Sequence, residues 1–426
     1  MYYLLIIIFI IGYFAITLEH SFKINKAAIA ILTGVLCWTV YILSAGTEQE
    51  AHHISESLSH HLASISEILF FLMGAMTIVE LIDAHDGFEV VTSRINTLNK
   101  VRLLWIVSLL AFFLSAVLDN LTTAIVMVSL LRKLIADKND RLFFAGMVVI
   151  AANAGGAWSP IGDVTTTMLW IGGQISSLSI MGKLIIPSLV CILVPLAVLS
   201  FALKGAIQKP ELSEAERRIS STPAQRNIIF FTGLGALIFV PVFKTITHLP
   251  PYMGILFGLG VLWIVSELIH NQKDEEDKHS LSVVYALRKI DMPSVLFFLG
   301  ILSAITALET AGHLTDLATF MDTNIGNQSV IVMSIGVLSA IVDNVPLVAA
   351  AMGMYSFPMD HYFWEFLAYC AGTGGSILII GSAAGVAVMG MEKIDFFWYL
   401  KRISLLALLG YIAGALVYMG QEYLRS

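Results

Sequence analysis

Two acid-amide pairs stand in otherwise apolar surroundings, in "SAVLDNLTTA" at 115–124 and "SAIVDNVPLV" at 339–348. Asp119-Asn120 and Asp343-Asn344 each offer a carboxylate and an amide, and Thr122 and Thr123 add hydroxyls beside the first pair. A small hard cation prefers oxygen donors of this kind, together with backbone carbonyls freed where a helix is interrupted. An ionised carboxylate at membrane depth costs roughly 2.5 to 3.5 kcal/mol even on insertion scales, so it implies a partner. Neither stretch carries a Lys or Arg near its centre. The expected partners of Asp119 and Asp343 are therefore a metal cation or a proton, with the cation placed on Asp119, Asn120, Asp343 and Asn344. Asn120 and Asn344 also suit simple helix capping, and Pro346 suits the first turn of a returning helix.

A second pair of stretches, "NAGGAWSPIGD" at 153–163 and "GTGGSILIIGS" at 372–382, has paired glycines in mid-span, and the first also has a proline. Such sequences break a helix and leave unwound backbone to line a cavity. Asn153, Asp163 and Ser382 join the candidate ion ligands here. Asp163 is a third cation ligand, a proton carrier or a cap for the next half-helix; in the second stretch Ser382 takes its place. Ser159, Thr373, Glu80 and Glu309 are secondary candidates. Asp83, Glu267 and Glu365 lie near span ends, where carboxylates normally reach the headgroups. His52, His53, His60 and His61 are read as a solvated outer loop, with metal binding or pH sensing as the sharper alternative.

These residues need elements that hold them within a bilayer. With 57% hydrophobic and 13% charged residues and a mean hydropathy of +0.83, the chain is an all-α polytopic membrane protein rather than a water-soluble one. Spans are expected at 2–18, 27–45, 65–84, 143–173, 183–204, 227–245, 252–270, 294–310, 362–391 and 396–421. The stretches 103–131 and 329–356, broken by the Asp-Asn pairs, are expected to enter and return on one side as re-entrant hairpins. With both termini on the outer, periplasmic side, every Lys and Arg except Lys183, Lys244 and Arg425 falls in a cytoplasmic loop, as the positive-inside rule requires. The N-terminal apolar segment then counts as the first span rather than a cleaved signal. Cys37, Cys191 and Cys370 lie in apolar segments and imply no disulfide framework.

Five spans precede a cytoplasmic linker at 206–226 and five follow, so residues 227–426 form an inverted copy of residues 1–205, each copy holding one hairpin and one broken helix. The "LFFL" of 69–72 recurs at 296–299, "SAVLDN" as "SAIVDN", and Gly155, Gly156 and Gly162 match Gly374, Gly375 and Gly381. This is the organisation of a secondary transporter. Nothing resembles a nucleotide-binding loop, so gradients are the expected energy source and neither nucleotide nor nucleic acid is an expected partner.

These motifs, with "LEHSFKINKAAIAIL" at 18–32, resemble the NhaD-type sodium/proton antiporters of the ion transporter superfamily over essentially the whole chain. The resemblance implies a central sodium site between two hairpins and two broken helices, a scaffold part and a mobile part, a homodimer in the inner (plasma) membrane, elevator-like movement, and no cofactor beyond the transported Na+ and H+. Proton and cation would compete for mid-membrane aspartates, exporting sodium, with lithium as a further cargo, against proton entry. Anion symporters of that superfamily carry Ser-Asn-Thr at the hairpin tips, where this chain has Asp-Asn. A sodium-coupled carrier of a dicarboxylate or oxyanion is the alternative. An intramembrane aspartyl protease is more distant, since 160–163 read Pro-Ile-Gly-Asp rather than Gly-x-Gly-Asp.

Overall fold

The computed structural model describes residues 2–17, 24–92, 95, 97–203, 205–208, 222–271 and 281–425. Most of the expected linker, the start of the 18–32 motif, and Lys23, Arg94, Lys204, Lys209, Arg217, Arg218, Lys273 and Lys278 lie outside the described residues. Among the described residues there is no strand, only an isolated bridge between Asn99 and Ala206. The main helices are α1 (Tyr2–Thr17), α2 (Lys26–Leu43), α3 (Glu48–Ala84), α4 (Lys100–Leu118), α5 (Asn120–Leu134), α6 (Lys138–Ala157), α7 (Val164–Ile171), α8 (Ser177–Ala202), α9 (Pro223–Thr247), α10 (Pro251–Ile269), α11 (Met292–Thr310), α12 (His313–Asn324), α13 (Gln328–Leu338), α14 (Asn344–Met354), α15 (Tyr362–Gly374), α16 (Ala383–Glu392) and α17 (Ser404–Arg425).

Among the described residues, eight helices are long and apolar enough to cross a membrane: α2, α3, α4, α8, α9, α10, α11 and α17. All but α4 fall on expected spans, and α4 is the first arm of the stretch expected at 103–131. Large apolar side chains such as Phe14, Phe201, Phe231, Ile246 and Leu268 stay more than half exposed. In water they would be an association liability, and in lipid they are matched to their solvent. The four histidines expected in a loop are instead helical: α3 is capped by Thr47, whose side chain accepts from Glu50 N–H, and no Gly or Pro interrupts residues 48–73.

Four interruptions organise the interior. Only Asp119 separates α4 from α5, residues 158–163 separate α6 from α7, 339–343 separate α13 from α14, and 375–382 separate α15 from α16. Each restart has its own N-cap: Asp119, Asp163, Asp343 and Ser382 accept backbone N–H groups of α5, α7, α14 and α16. At Asp163 the cap becomes a box with Thr166, satisfying donors that hydrocarbon could not. Helices α1, α2, α3, α9, α10 and α11 pack mainly on one another, as do α4–α8 with α13–α17, and α11 against α14 joins the two sets.

The second set is held by backbone contact. A Cβ on Gly155 would strike the Phe112 carbonyl, and one on Gly374 the Gly336 carbonyl. Ser115 Oγ donates to Ala152 O at 2.6 Å, and Ser339 Oγ to Ala371 O at 3.1 Å. The same small residues thus join α4 to α6 and α13 to α15. Gly155→Ala or Gly374→Ala is expected to cost about 1–3 kcal/mol through overpacking, read as a lower midpoint of thermal unfolding in detergent. Gly235→Ala, with open space around it, is the control and leaves the midpoint within a degree or so.

Candidate functional site

The four interruptions converge on Asp163, which is 2% exposed. Its Oδ2 accepts from Asn120 Nδ2 at 2.7 Å and from Asn344 Nδ2 at 3.5 Å, one amide from each Asp-Asn pair. Its Oδ1 accepts the Thr165 N–H at 3.1 Å. Asn120 Nδ2 also reaches Asn153 Oδ1 at 3.0 Å, and Asn153 Nδ2 donates to Ser382 Oγ at 2.9 Å. Asn120, Asn153, Asp163, Asn344 and Ser382 thus form one buried polar chain running through all four breaks. Every member lies at a helix start except Asn153, which comes from the body of α6, one turn before its end.

Asp119 and Asp343 flank this chain. Asp119 accepts the Thr122 N–H at 2.8 Å and the Thr122 hydroxyl at 2.9 Å, so Thr122 serves the carboxylate directly. Its φ of +79° is a conformation that non-glycine residues rarely adopt. Asp119 and Asp163 line one narrow, mainly apolar pocket with Leu72, Met76 and Val240. Thr123 Oγ1 is buried without a hydrogen-bond partner among the described residues. Asp163 lies within electrostatic reach of both Asp343 and Asp119. Among the described residues, no three His, Cys, Asp or Glu side chains gather tightly enough to hold a metal ion; the oxygens here are mixed carboxylate, amide and hydroxyl.

One expectation is corrected. Asp343 does have a cationic partner: Lys26 Nζ lies 3.2 Å from its Oδ2. The two are 317 residues apart, so no search around the Asp-Asn stretch could find it. A signal existed nonetheless. Lys26 is the first residue of α2, where the helix dipole disfavours a cation, so something else must hold it.

The secondary candidates separate from the chain. Ser159 and Thr373 donate to the carbonyls of Ala116 and Tyr369. Glu80 faces Lys289 at 3.6 Å, and Glu309 lies against Gly353 of α14. His61 contacts Thr310 Oγ1 at 3.2 Å and His52 contacts Glu56. Glu365, expected near a headgroup, is fully buried and accepts from Lys183 at 2.7 Å, Ser179 at 2.5 Å and Tyr418 at 3.0 Å. Glu392, 1% exposed, receives Arg132 and Arg141 at 2.7 Å each and ties α16 to α5 and α6.

Residues 3–365 match the family described as "Citrate transporter" (CitMHS). The chain is 53% identical to Sodium/proton antiporter 1 of Arabidopsis thaliana over 98% of its own length and 72% of that protein. It is 31% identical to Na(+)/H(+) antiporter NhaD of Vibrio cholerae, over 98% of its own length and 91% of that protein. The chain belongs to the NhaD-type sodium/proton antiporter family. The crystal structure of the YdaH transporter of Alcanivorax borkumensis shares the fold, with a TM-score of 0.59 and 10% identity over 93% of this chain and 98% of that one. Members of the family are transporters, not enzymes, which removes the protease alternative. In this antiporter-family chain, Glu365→Ala would take the buried acceptor from Tyr418 and leave Lys183 with its longer 3.9 Å contact to Glu422, and is expected to cost about 1–3 kcal/mol. Thermal unfolding in detergent checks this, and Glu365→Ala with Lys183→Met should recover much of the loss.

Proposed function

We propose that the chain exchanges cytoplasmic sodium, or lithium, for external protons, with both ions competing for Asp163 and the flanking Asp119 and Asp343. The observation that carries this is a buried carboxylate held by neutral amides from both Asp-Asn breaks, with no ion-pair partner among the described residues. Sodium would attract amide and hydroxyl oxygens, and the Asn120 and Asn344 amides that donate N–H groups to Asp163 also carry such oxygens. A proton on Asp163 removes the charge that sodium needs, and bound sodium disfavours the proton. Mutual exclusion at one site is the requirement for exchange.

The reading extends to the architecture. Matching Gly and Ser contacts in the α4–α6 and α13–α15 pairs support an inverted repeat, with α4–α5 and α13–α14 as re-entrant hairpins. The two packing sets support a fixed scaffold and a set that carries the ion by elevator-like movement, in a homodimer of the plasma membrane with both termini outside. The exceptions to the positive-inside pattern fit this orientation. Lys183 is held by Glu365, and Lys244 Nζ donates to Trp170 O at 2.8 Å.

The sodium-coupled anion reading draws on the family description "Citrate transporter". Against it, an anionic cargo would meet three carboxylates. Purified protein in liposomes with an imposed pH gradient tests both. Addition of sodium or lithium should collapse the gradient for wild type, while Asp163→Asn abolishes the response. Asp119→Asn and Asp343→Asn should raise the half-saturating sodium about ten-fold, equivalent to about 1.4 kcal/mol. A wild type that responds only when citrate or succinate accompanies sodium would replace exchange by anion symport.

A further inference from the structure

The Lys26–Asp343 pair has no place in the exchange scheme as stated, yet it joins the two packing sets at the site itself: Lys26 begins α2 and Asp343 caps α14. Neither group is sealed in, the side chains being 26% and 18% exposed. Lys26 lines a pocket shared with Leu121 in the first turn of α5, Asp291 and Ser294 at the start of α11, and Ala383 of α16. This pocket is separate from the one that Asp119 and Asp163 line. The ammonium also rests on the Phe297 ring, 4.3 Å from its centroid, so it has a cation–π site beside the carboxylate.

The geometry is that of a loose pair. At 3.2 Å it is longer than the 2.7 Å contacts of Lys183 with Glu365 or Arg141 with Glu392, and Asp343 Oδ1 accepts the Val345 N–H at 3.2 Å. A partly exposed pair stretched to 3.2 Å gains on the order of 1 kcal/mol, within reach of a competing cation. The two Asp-Asn carboxylates are thus unequal: Asp119 is held by Thr122, whereas Asp343 holds a tethered ammonium.

We propose that Lys26 is a positioning residue that acts as a tethered competitor of sodium: it neutralises Asp343 while the site holds no sodium and is displaced when sodium arrives from the Lys26-lined pocket. Displacement releases α14 from α2, so cargo binding loosens a link between the two packing sets that carrying the ion must break. The inference rests on the sodium/proton exchange proposed above. It requires that the ammonium set the sodium concentration at which the carrier turns over.

The test is sodium-induced collapse of a pH gradient in liposomes, titrated from micromolar to molar sodium for wild type, Lys26→Gln and Lys26→Arg, with thermal unfolding followed in parallel. Without the competitor, Lys26→Gln should reach half-saturation at about five-fold lower sodium, with no rise in the maximal rate. Lys26→Arg, whose planar fork can grip Asp343 at two points, should shift half-saturation upward by a similar factor. A purely structural ion pair would lower the maximal rate and the unfolding midpoint of Lys26→Gln without lowering half-saturation, and that result overturns the proposal. If Lys26→Gln does not fold, Lys26→Arg decides: an unchanged half-saturation overturns it. A wild type indifferent to sodium overturns the exchange reading and this inference together, whereas a sodium-responsive wild type with unshifted variants overturns this inference alone.

Discussion

Asp163 is an acid with 2% of its surface exposed, set at the start of a half-helix, and burial of a charged group is costly unless its lone pairs are occupied. Here they are occupied by donors from three different breaks: the Thr165 N–H, the Asn120 amide and the Asn344 amide. Much of the surrounding structure follows from that requirement. Both Asp-Asn stretches must stop their helices at one depth, and α6 must bring Asn153 to the same place before it breaks. A shift of one turn in any of the four would leave a buried polar group without its partner, at a cost.

Small residues make that convergence sterically feasible. Gly155 and Gly374 let helix backbones meet carbonyl to Cα, and Gly162 and Gly381 bring the unwound segments against the Ser115 and Ala340 carbonyls. Contacts this close leave little slack, so the broken helices and the Asp-Asn arms form one stiff unit. Charged clamps sit toward its two ends, Lys183 on Glu365 and the two arginines on Glu392. Links to the other packing set at the site include the buried apolar packing of Val345 and Ala349 against Phe297 and Ile301, and the ion pair of Lys26 with Asp343.

What could be read from the sequence was what local patterning determines. Apolar runs located the spans, their polar or glycine-rich interruptions located the four breaks, and capping was legible at Asn120, Asn344 and Asp163, although the structure puts the first two caps one residue earlier, on Asp119 and Asp343. The histidines of α3 were misplaced because a polar stretch without Gly or Pro reads as loop by composition and as helix by propensity, and propensity won. Partnership was hidden wherever it joined distant segments. Lys26 and Asp343 are 317 residues apart, Arg132 and Glu392 260, and Lys183 and Glu365 182. Asp163 as the shared acceptor was equally invisible, because the amides that single it out lie 43 and 181 residues away.

The caps at Asp119, Asp163, Asp343 and Ser382 carry an electrostatic consequence as a group. The N-termini of α5, α7, α14 and α16 gather around the same polar chain, and each helix end presents the equivalent of about half a positive charge. Four such ends sum to a field that on its own would attract anions; the three aspartates reverse it, and the Lys26 ammonium on Asp343 offsets part of that reversal. The sign of the ion this frame favours is therefore written in a handful of cap side chains rather than in its helices. A scaffold of this kind could change cargo polarity by exchanging acids for hydroxyls at the caps, leaving every backbone contact in place.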